Sequence, residues 1–396
     1  MPRRTAPSPG AVSSGHVLRL IRTGDAATRT EIGRHTGLSR PAVALRVAEL
    51  IAHGLVTEGG TGPSSGGRPP GRLEFNAGAG AVLACVLGIS RGRVAVCDLA
   101  GRVLAQAAGA PPMTEGPAAV LPWLLDTWAE LLDKAGYTGA DVRGAGIGLP
   151  GTVEFAAGRA EAPPALAGWG GVEVRPLVAE RFDVPVLLDN DVNAMALGEH
   201  RACHTGVGDL VFVKASTGIG AGIVSGGGLL RGDLGAAGEI GHIPVRDGAG
   251  TPCRCGNTDC LEAVAGGPAL LAALARGGRT VAGIGELAAL AQGGDPAAVT
   301  LVRGAGRRIG EVLAGVVNVL NPAVIVLGGD LARAYDPLVA GVREVVFHRS
   351  TALATRRLQV VPSRTGGDAG LLGAAALVLD RILSPEAVDA RLAAAG

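Results

Sequence analysis

Hydrophobic residues in the first 76 positions recur at the spacing of short amphipathic helices. The pattern predicts a first helix over residues 16–22, and a capping box formed by Thr28 and Glu31 predicts the start of a second. Ser39 is the predicted N-cap of a third helix. The apolar face of that third helix is formed by Val43, Val47 and Leu50. Three short helices with separate caps predict a small helical head.

The head continues with two short strand patterns, at residues 55–57 and 72–75. A Gly- and Pro-rich segment that contains Arg68 separates them. Three helices followed by two strands are the layout of a winged helix-turn-helix, whose third helix fits the major groove of B-DNA. The sequence therefore predicts that residues 1–76 form a DNA-binding domain with its wing and linker.

The residues predicted to contact DNA lie on the third helix, away from its apolar face. They are Ser39, Arg40, Ala44 and Arg46. Arg68, in the narrow Gly/Pro segment of the wing, is expected to enter the minor groove. Two alternatives remain open. In the first, the head is a dimerisation or packing module instead of a DNA-binding domain. In the second, the segment around Arg68 is only a linker.

Charge is distributed unevenly along the chain, which favours a polyanionic partner for the head alone. Residues 1–76 have a net charge of +5 and the remaining 320 residues a net charge of −4. A chance excess of arginine would give the same count. The chain shows no apolar run typical of a secretory signal or a membrane span, so a soluble cytoplasmic protein without a membrane partner is expected.

From residue 77 the pattern changes to strands and helices, and the same scheme occurs twice. Hairpin patterns at residues 82–97 and 210–225 precede periodic helices at residues 121–135 and 303–318. The repetition predicts an α/β body of two lobes, with a ligand cleft beyond the strand ends. The predicted bounds are residues 77–396 for the body, about 77–195 plus a C-terminal helix for lobe one, and about 196–375 for lobe two.

Three of the six cysteines lie within eight residues, and a histidine precedes them. His242, Cys253, Cys255 and Cys260 offer one imidazole and three thiolates. This closed tetrahedral set suits Zn²⁺ and leaves no position for a catalytic water. In a reducing compartment such a cluster favours a metal over disulfides. A structural zinc ion is the expected cofactor; the alternative is free buried cysteines beside a surface histidine.

Five segments of the body resemble signatures of the ROK family (repressors, open reading frames and kinases). They are GEIGH (238–242), CRCGNTDCLE (253–262), LDNDVNAMALGE (188–199), STGIGAGIV (216–224) and VIVLGGD (324–330). The resemblance covers about residues 77–380 and implies an α/β, actin-like, ribonuclease H-like ATPase-type fold. The winged head is similar to that of the family's sugar-responsive regulators. Asp259 departs from the family pattern, which usually has Gly there.

The resemblance implies a hexose-binding site formed by Asn190, Asp191, Glu239, His242 and Glu262. Carboxylates and an amide are suitable partners for sugar hydroxyls. One ring nitrogen of His242 can bind zinc while the other faces a hydroxyl, which would join the ligand to the metal loop. The alternative is that these acids cap helices or pair with arginines.

The same resemblance raises the question of sugar kinase activity. In kinases of the family Asp191 would be the general base, and the turn at residues 216–218 would hold phosphate. The family kinases have D-x-G-G-T after the first strand, where this chain has Val86, Ile89 and Ser90 at the Asp, second Gly and Thr positions. Loss of one preorganised electrostatic group costs roughly 10²–10³ in rate. A sensor is therefore expected rather than a catalyst, and ATP is not an expected cofactor.

The sequence is most consistent with a sugar-responsive transcriptional regulator that acts as a repressor. Its expected partners are double-stranded operator DNA, a monosaccharide or sugar-phosphate effector, and further copies of the chain in a homodimer or homotetramer. Two rival hypotheses stay open. One is an active ATP-dependent sugar kinase with an accessory DNA-binding head, and the other is a zinc-stabilised scaffold without a ligand.

Overall fold

The computed structural model describes residues 12–61, 71–89, 91–161, 168–246 and 248–394. Its N-terminal part contains three helices and a two-stranded antiparallel sheet, in the order predicted from the sequence. These are α1 (Ser14–Thr23), α2 (Arg29–Thr36), α3 (Arg40–Ala52), β1 (Val56–Thr61) and β2 (Gly71–Phe75). This unit is called the head below.

The predicted caps position the helices of the head. The Ser39 side chain accepts a hydrogen bond from the backbone N–H of Ala42, which begins α3. Thr28 accepts from the N–H of Glu31, whose carboxylate in turn accepts from the N–H of Ala27. Because α2 ends at Gly37 with a φ of 73°, the chain turns there without strain and α3 crosses the core of the head.

The last helix of the chain completes the core of the head. Helix α14 (Pro385–Ala394) packs against α1, and the Asp389 carboxylate accepts a 2.8 Å hydrogen bond from the N–H of Gly15. A Cβ on Gly15 would lie 2.2 Å from the Pro385 carbonyl oxygen, so only glycine allows this approach. The buried apolar residues that α14 contributes are Val388 and Leu392. The periodicity of the sequence did not indicate this contact between the two ends of the chain.

Lobe one of the body is built on a mixed five-stranded sheet. Its elements are β3 (Ala81–Leu87), β4 (Gly92–Asp98), β5 (Val103–Gly109), α4 (Pro117–Ala135), β6 (Val142–Leu149), β7 (Thr152–Glu154), β8 (Arg159–Glu161), α5 (Val174–Ala179) and β9 (Val186–Asn190). The sheet order is β5-β4-β3-β6-β9. Strands β6 and β9 run parallel to β3, whereas β4 runs antiparallel to β3. Strands β3 and β6 are buried along nearly their whole length, which explains their continuous apolar sequences.

Lobe two repeats this arrangement with a second mixed five-stranded sheet. Its elements are α6 (Asp191–Cys203), β10 (Leu210–Ala215), β11 (Ile219–Ser225), β12 (Gly228–Leu230), α7 (Leu261–Ala265), α8 (Gly267–Arg276), α9 (Ile284–Gln292), α10 (Pro296–Leu320), β13 (Val324–Gly328), α11 (Tyr335–Arg349), α12 (Ala352–Thr355) and β14 (Gln359–Pro362). Helix α13 (Ala369–Ile382) follows β14 and packs on the sheet of lobe one. The sheet order is β12-β11-β10-β13-β14. The two sheets confirm the predicted α/β body. None of the helices in the described ranges combines the length and the apolar character that crossing a bilayer requires.

Helices α6 and α13 lie side by side between the two sheets. Helix α6 packs against β11, whereas α13 packs against β3 and β6. Added Cβ atoms on Gly198 and Gly373 would lie 1.9 and 1.7 Å from carbonyl oxygens of the partner helix, so the two backbones touch directly. This close packing fixes the N-terminus of α6, where Asp191 lies, relative to both lobes.

Candidate ligand cleft, metal site and DNA-facing surface

A cavity of ≈ 1160 Å³ lies between the two lobes at the ends of the central strands. All five residues of the predicted sugar site line it: Asn190, Asp191, Glu239, His242 and Glu262. They come from the α6 N-terminus, the segment after β12 and the start of α7. The fold therefore brings together residues that are separated by more than 70 positions in the sequence. The volume slightly exceeds that of most small-molecule pockets.

Asn190 serves the local fold as well as lining the cavity. Its side-chain oxygen accepts hydrogen bonds from the N–H groups of Val192 (2.8 Å) and Asn193 (3.2 Å), and this cap begins α6. Its side-chain nitrogen donates to the carbonyl of Gly151 in lobe one at 2.8 Å. Asn190 is therefore a helix cap as well as a lining residue, and its remaining donor hydrogen is the only part left for a ligand.

Asp191 is nearly inaccessible to solvent, with 4% of its surface exposed, and it forms an ion pair with Lys214. The Lys214 ammonium donates to Asp191 Oδ2, while Oδ1 has no partner within the described residues. Asp191 is also the first residue of α6, where the helix dipole favours a negative charge. Lys214 was absent from the predicted site. A charged residue that interrupts the apolar run of β10 is the signal that would have revealed it.

Glu239 is the most accessible acid of the predicted set. Its Oε1 accepts a 3.0 Å hydrogen bond from the Thr152 hydroxyl of lobe one, and its Oε2 lies 3.9 Å from His242 Nε2. The hydrogen bond from Thr152 joins the two lobes on one side of the cavity. The carboxylate keeps free acceptor capacity that faces the cavity.

Glu262 has two protein partners. Its Oε1 accepts two N–H groups of Arg254, at 3.0 and 2.5 Å, and its Oε2 accepts the backbone N–H of Ile219 at 3.1 Å. A Cβ at position 218 would lie 2.5 Å from Glu262 Oε2, which explains why Gly218 occupies that place in the turn. The pairing with an arginine that was considered as an alternative is therefore present, at a residue that also lines the cavity.

The predicted metal ligands converge on one point beside the cavity. One donor atom from each of His242, Cys253, Cys255 and Cys260 lies within 4.8 Å of the other three. Cys253 Sγ is 3.6 Å from His242 Nδ1, and Cys255 Sγ is 3.7 Å from Cys260 Sγ. A tetrahedral metal site needs donors at about these mutual separations, so the residues present can hold a metal ion.

The loop around these ligands changes the pKa values of its cysteines and contains one residue in a left-handed conformation. A backbone hydrogen bond from Asn257 and the neighbouring thiols lower the pKa of Cys255 to about 7, and burial raises the pKa of Cys260 to about 12. Because metal ions bind thiolates, binding would release the protons of the cluster. Asp259 has a φ of 58°, a left-handed conformation that aspartate tolerates better than most non-glycine residues. Its carboxylate accepts the Thr251 N–H at 2.7 Å.

The side of the cavity next to α13 is apolar at the end of β3. Val86 packs against α13, where a Cβ on Gly370 would lie 2.8 Å from the Val86 side chain. Ile89 also lines this part, whereas Ser90 lies outside the described residues. Two ion pairs hold arginines of the β4 region, one to lobe two and one to the segment just before α13. They are Arg91–Asp330 at 3.7 Å and Arg93–Asp368 at 2.5 Å.

A buried glutamate, missed in the sequence analysis, holds the segment between β14 and α13. Glu199 is fully buried on α6 and accepts the N–H groups of Arg364 (2.7 Å) and Thr365 (3.2 Å), as well as the hydroxyls of Ser363 and Thr365. Burial raises the pKa of this carboxyl, but the hydrogen bonds outweigh burial and keep the pKa below its ordinary value. A polar residue in the apolar register of α6 was the available signal.

On the head, the residues predicted to contact DNA are accessible: Ser39, Arg40 and Ala44 are exposed, and Arg46 is half-buried. Leu45 was not predicted, yet 66% of its surface is exposed beside Ala44. An accessible leucine on a helix that carries two arginines suits contact with thymine methyl groups. Arg68 lies outside the described residues.

Comparisons with known proteins place these sites in context. The xylose repressor of Caldicellulosiruptor bescii is 30% identical over 384 residues, which cover 93% of this chain and 95% of that protein. A crystal structure of a ROK family transcriptional regulator, described as a homologue of the E. coli MLC protein, matches with a TM-score of 0.81 and 28% identity. The match covers 96% of this chain and 98% of that one.

A crystal structure of a ROK family glucokinase from Streptomyces griseus, in complex with glucose and AMPPNP, matches with a TM-score of 0.63 and 30% identity. It covers 75% of this chain and 99% of that one. The regulators therefore match nearly the whole chain, head included, while the glucokinase matches about three quarters of it. The sequence model of the ROK family matches residues 82–381, which confirms the resemblance of the five motifs. The chain belongs to the ROK family.

Proposed function

We propose that this protein is a sugar-responsive transcriptional repressor. It binds double-stranded operator DNA through the head and a monosaccharide or sugar phosphate in the cleft between the lobes. The observation that carries this proposal is the match to a xylose repressor over 93% of the chain, because that match includes both the head and the body. The domain bounds are those of the sequence analysis, residues 1–76 and 77–396, with α14 packed on the head.

Operator binding uses the N-terminal half of α3 in the major groove. Arg40 is exposed at the first turn, where helix N-termini approach base edges and phosphates. Ser39, Ala44 and Arg46 complete this face, and Leu45 adds an apolar contact. Arg68 is proposed to enter the minor groove. Chains associate as a homodimer or homotetramer, so the operator has two-fold symmetry with half-sites about 34–36 Å apart, or multiples of that spacing.

The effector binds against Asp191, Glu239 and Glu262. Carboxylate oxygens accept from sugar hydroxyls, and two of these acids are already oriented by Lys214 and Arg254. His242 directs Nδ1 toward Cys253 and Nε2 toward Glu239, so one ring can bind both a structural zinc ion and a sugar. Zinc would supply folding free energy to a loop with few apolar residues.

Coupling between sugar and operator follows the helices. Asp191 begins α6, α6 packs directly on α13, and α13 leads within a few residues into α14, which belongs to the core of the head. A sugar that binds one lobe arrangement more tightly shifts the population of that arrangement. Because α14 moves with α13, the position of the head shifts with it, and operator affinity changes.

The test is operator binding by the full-length protein, with Arg40→Ala as the variant and Arg356→Ala, an exposed arginine of the body, as the matched control. Loss of a base-contacting arginine costs about 1–3 kcal/mol and relaxes sequence preference. The control should bind like the unsubstituted protein. Equal binding and unchanged selectivity of both variants would contradict the proposed DNA-binding surface.

The second candidate function is an ATP-dependent sugar kinase with an accessory head. The presence of Asp191 at the position of the family's base favours it. Val86 and Ile89 argue against it, because neither can hold a metal ion or donate to phosphate. An ATP-coupled assay across a monosaccharide panel separates the two, since kinases typically turn over at about 1–100 s⁻¹. Turnover in that range would show that the protein is a sugar kinase and not only a sensor.

A further inference from the structure

Lys214 is an unexpected residue in this cleft. The chain contains only two lysines, Lys134 and Lys214, among 36 basic residues. A composition so strongly biased toward arginine makes lysine the exception at any basic position. Lysine differs in carrying a compact ammonium with three donors, whereas arginine presents a planar fork. The place of Lys214 beside Asp191 therefore points to a role for a small point charge.

The local fold directs this ammonium to the cavity. Leu210 and Phe212 occupy the same face of β10 and are buried against α6, and Lys214 continues that face at the end of the strand. Both of its cross-strand neighbours, Gly220 and Gly328, lack side chains. The lysine side chain is 23% exposed and lines the cavity. A charge in such a partly buried place is costly unless it has partners.

The ion pair with Asp191 leaves binding capacity on both partners. Lys214 donates one of its three hydrogens to Oδ2, and within the described residues nothing else accepts from it. Asp191 retains Oδ1 as an acceptor. The negative charge of Asp191 is also favoured by the first turn of α6, so Lys214 is not required to stabilise it. The pair thus presents a hydroxyl acceptor next to a cationic donor.

Further donors lie close along the chain. In the described part of the structure, the backbone N–H groups of Thr217 and Gly218 have no hydrogen-bond partner, and both residues line the cavity. Backbone N–H groups in a turn bind anions well. Two carboxylates border the same turn, and both have protein partners. Glu262 accepts from Arg254 and from the N–H of Ile219, and Asp330 accepts the Ser216 hydroxyl and lies 3.7 Å from Arg91. The free donors therefore concentrate around Lys214.

We propose that the effector is an anionic monosaccharide, whose phosphate or carboxylate group binds Lys214 and the N–H groups of the 216–218 turn while a hydroxyl binds Asp191. This inference rests on the proposed function and narrows its effector class. Lys214 is the residue that distinguishes anionic from neutral sugars, because a phosphate or carboxylate adds the attraction between opposite charges to the hydrogen bond that a neutral hydroxyl also accepts from the ammonium.

The test compares matched ligands on the full-length protein by titration calorimetry, with operator release measured in parallel. Pentoses and hexoses are each supplied as the neutral sugar, the phosphate ester and the sugar acid. The tightest ligand should be anionic, and Lys214→Met should weaken it about 10- to 100-fold, the effect of losing one charged hydrogen bond. Lys134→Met, an exposed position on α4, is the matched control and should change nothing.

A second measurement needs no substitution. Reductive methylation with ¹³C labels only Lys134, Lys214 and the N-terminal amine, and it preserves their charge. Addition of the phosphate ester or the sugar acid should shift the Lys214 signal and leave the Lys134 signal in place. The ligand that shifts the Lys214 signal identifies the bound anion as a phosphate or a carboxylate.

The outcomes separate this inference from the function on which it rests. If a neutral sugar binds tightest and releases the operator, the anionic effector is wrong and the repressor stands. An anionic ligand with equal affinity for the Lys214→Met variant and the unsubstituted protein also overturns the inference. If no ligand of any class binds and the operator is never released, both proposals fail together.

Discussion

The two sides of the cleft carry different kinds of side chains, although the same pair of helices supports both. On the side of the α6 N-terminus and the metal loop, the residues are polar and each is oriented by a protein partner, such as Lys214 on Asp191 and Arg254 on Glu262. On the side of β3 and α13, the corresponding surface is apolar at Val86 and is bridged by the Arg91–Asp330 ion pair. Both sides are supported by the same α6–α13 helix pair.

This difference separates binding from group transfer. A sugar needs hydroxyl acceptors, which the first side offers, whereas a nucleotide needs donors and a metal ligand around its phosphates, which Val86 and Ile89 do not provide. Because the α6–α13 helix pair supports both sides of the cleft, the chemical groups of one side can be lost while those of the other side are kept. In our proposal the remaining side serves as a sensor that acts on the head through α13 and α14.

The largest effect should come from the metal loop, which borders the polar side only. Cys255→Ser removes one of four ligands, and a structural zinc site in small proteins contributes on the order of 10 kcal/mol. We expect the variant to lose bound zinc, to unfold at a temperature several degrees lower, and to bind sugar poorly through the displaced His242. Metal content by atomic spectroscopy and calorimetric melting measure this.

Cys203→Ser is the matched control, because Cys203 lies on α6 outside the cluster and keeps all four ligands intact. It should retain zinc. Stoichiometric zinc in the purified Cys255→Ser protein would remove that cysteine from the ligand set.

The next effect concerns Asp191, the residue on which the sugar side depends. Asp191→Asn preserves size but removes the ionised acceptor, so we expect sugar affinity to fall about 10- to 100-fold, as for a lost hydrogen bond to a charged group. Operator affinity without sugar should stay the same, since Asp191 lies in the body and outside the core of the head. Parallel calorimetry and operator titrations test both halves of this statement. A normal dose response to sugar in the variant would contradict the proposed pocket.

The sequence predicted those parts of the molecule that depend on local pattern. Caps at Thr28 and Ser39 placed the head helices, and the spacing of the cysteines and His242 anticipated the cluster in which their donor atoms meet. What it missed are long-range partners. Asp389 contacts Gly15 across 374 positions, and Lys214 meets Asp191 only because β10 and α6 are packed together. Periodicity carries no information on such contacts.

A smaller effect is expected at Glu199, which joins α6 to the segment before α13. Glu199→Gln keeps the shape but removes a charged acceptor of four hydrogen bonds, so the free energy of unfolding should fall by about 1.5–3 kcal/mol at neutral pH. Ser225→Ala, at an exposed strand end, serves as a control for a polar substitution with little burial.

The effect of pH on Glu199 has a definite sign. The pKa of this carboxyl is lower in the folded protein than in the unfolded chain, where it is about 4.5. The carboxylate therefore contributes its full stability above that value, and the contribution is lost as the pH falls through the lower folded-state pKa. Melting temperatures of the unsubstituted protein and of Glu199→Gln should differ at pH 7 and converge as the pH falls below 4.5 and through the folded-state pKa. A difference independent of pH would mean that packing, not charge, is responsible.

The smallest effect is expected for nucleotide on the apolar side. With Val86 against Gly370 and the Asp330 carboxylate paired with Arg91, we expect Mg-AMPPNP to bind weakly at the end of β3. A ligand at about 1 mM with a Kd above about 10 mM raises the free energy of unfolding by less than about 0.06 kcal/mol, which leaves the melting temperature unchanged within error. The Streptomyces griseus glucokinase, whose crystal structure contains AMPPNP, is the positive control and should be stabilised under the same conditions. A rise of more than a degree in the present protein would mean that both sides of the cleft still bind their ligands, and the contrast between them would then lie in catalysis alone.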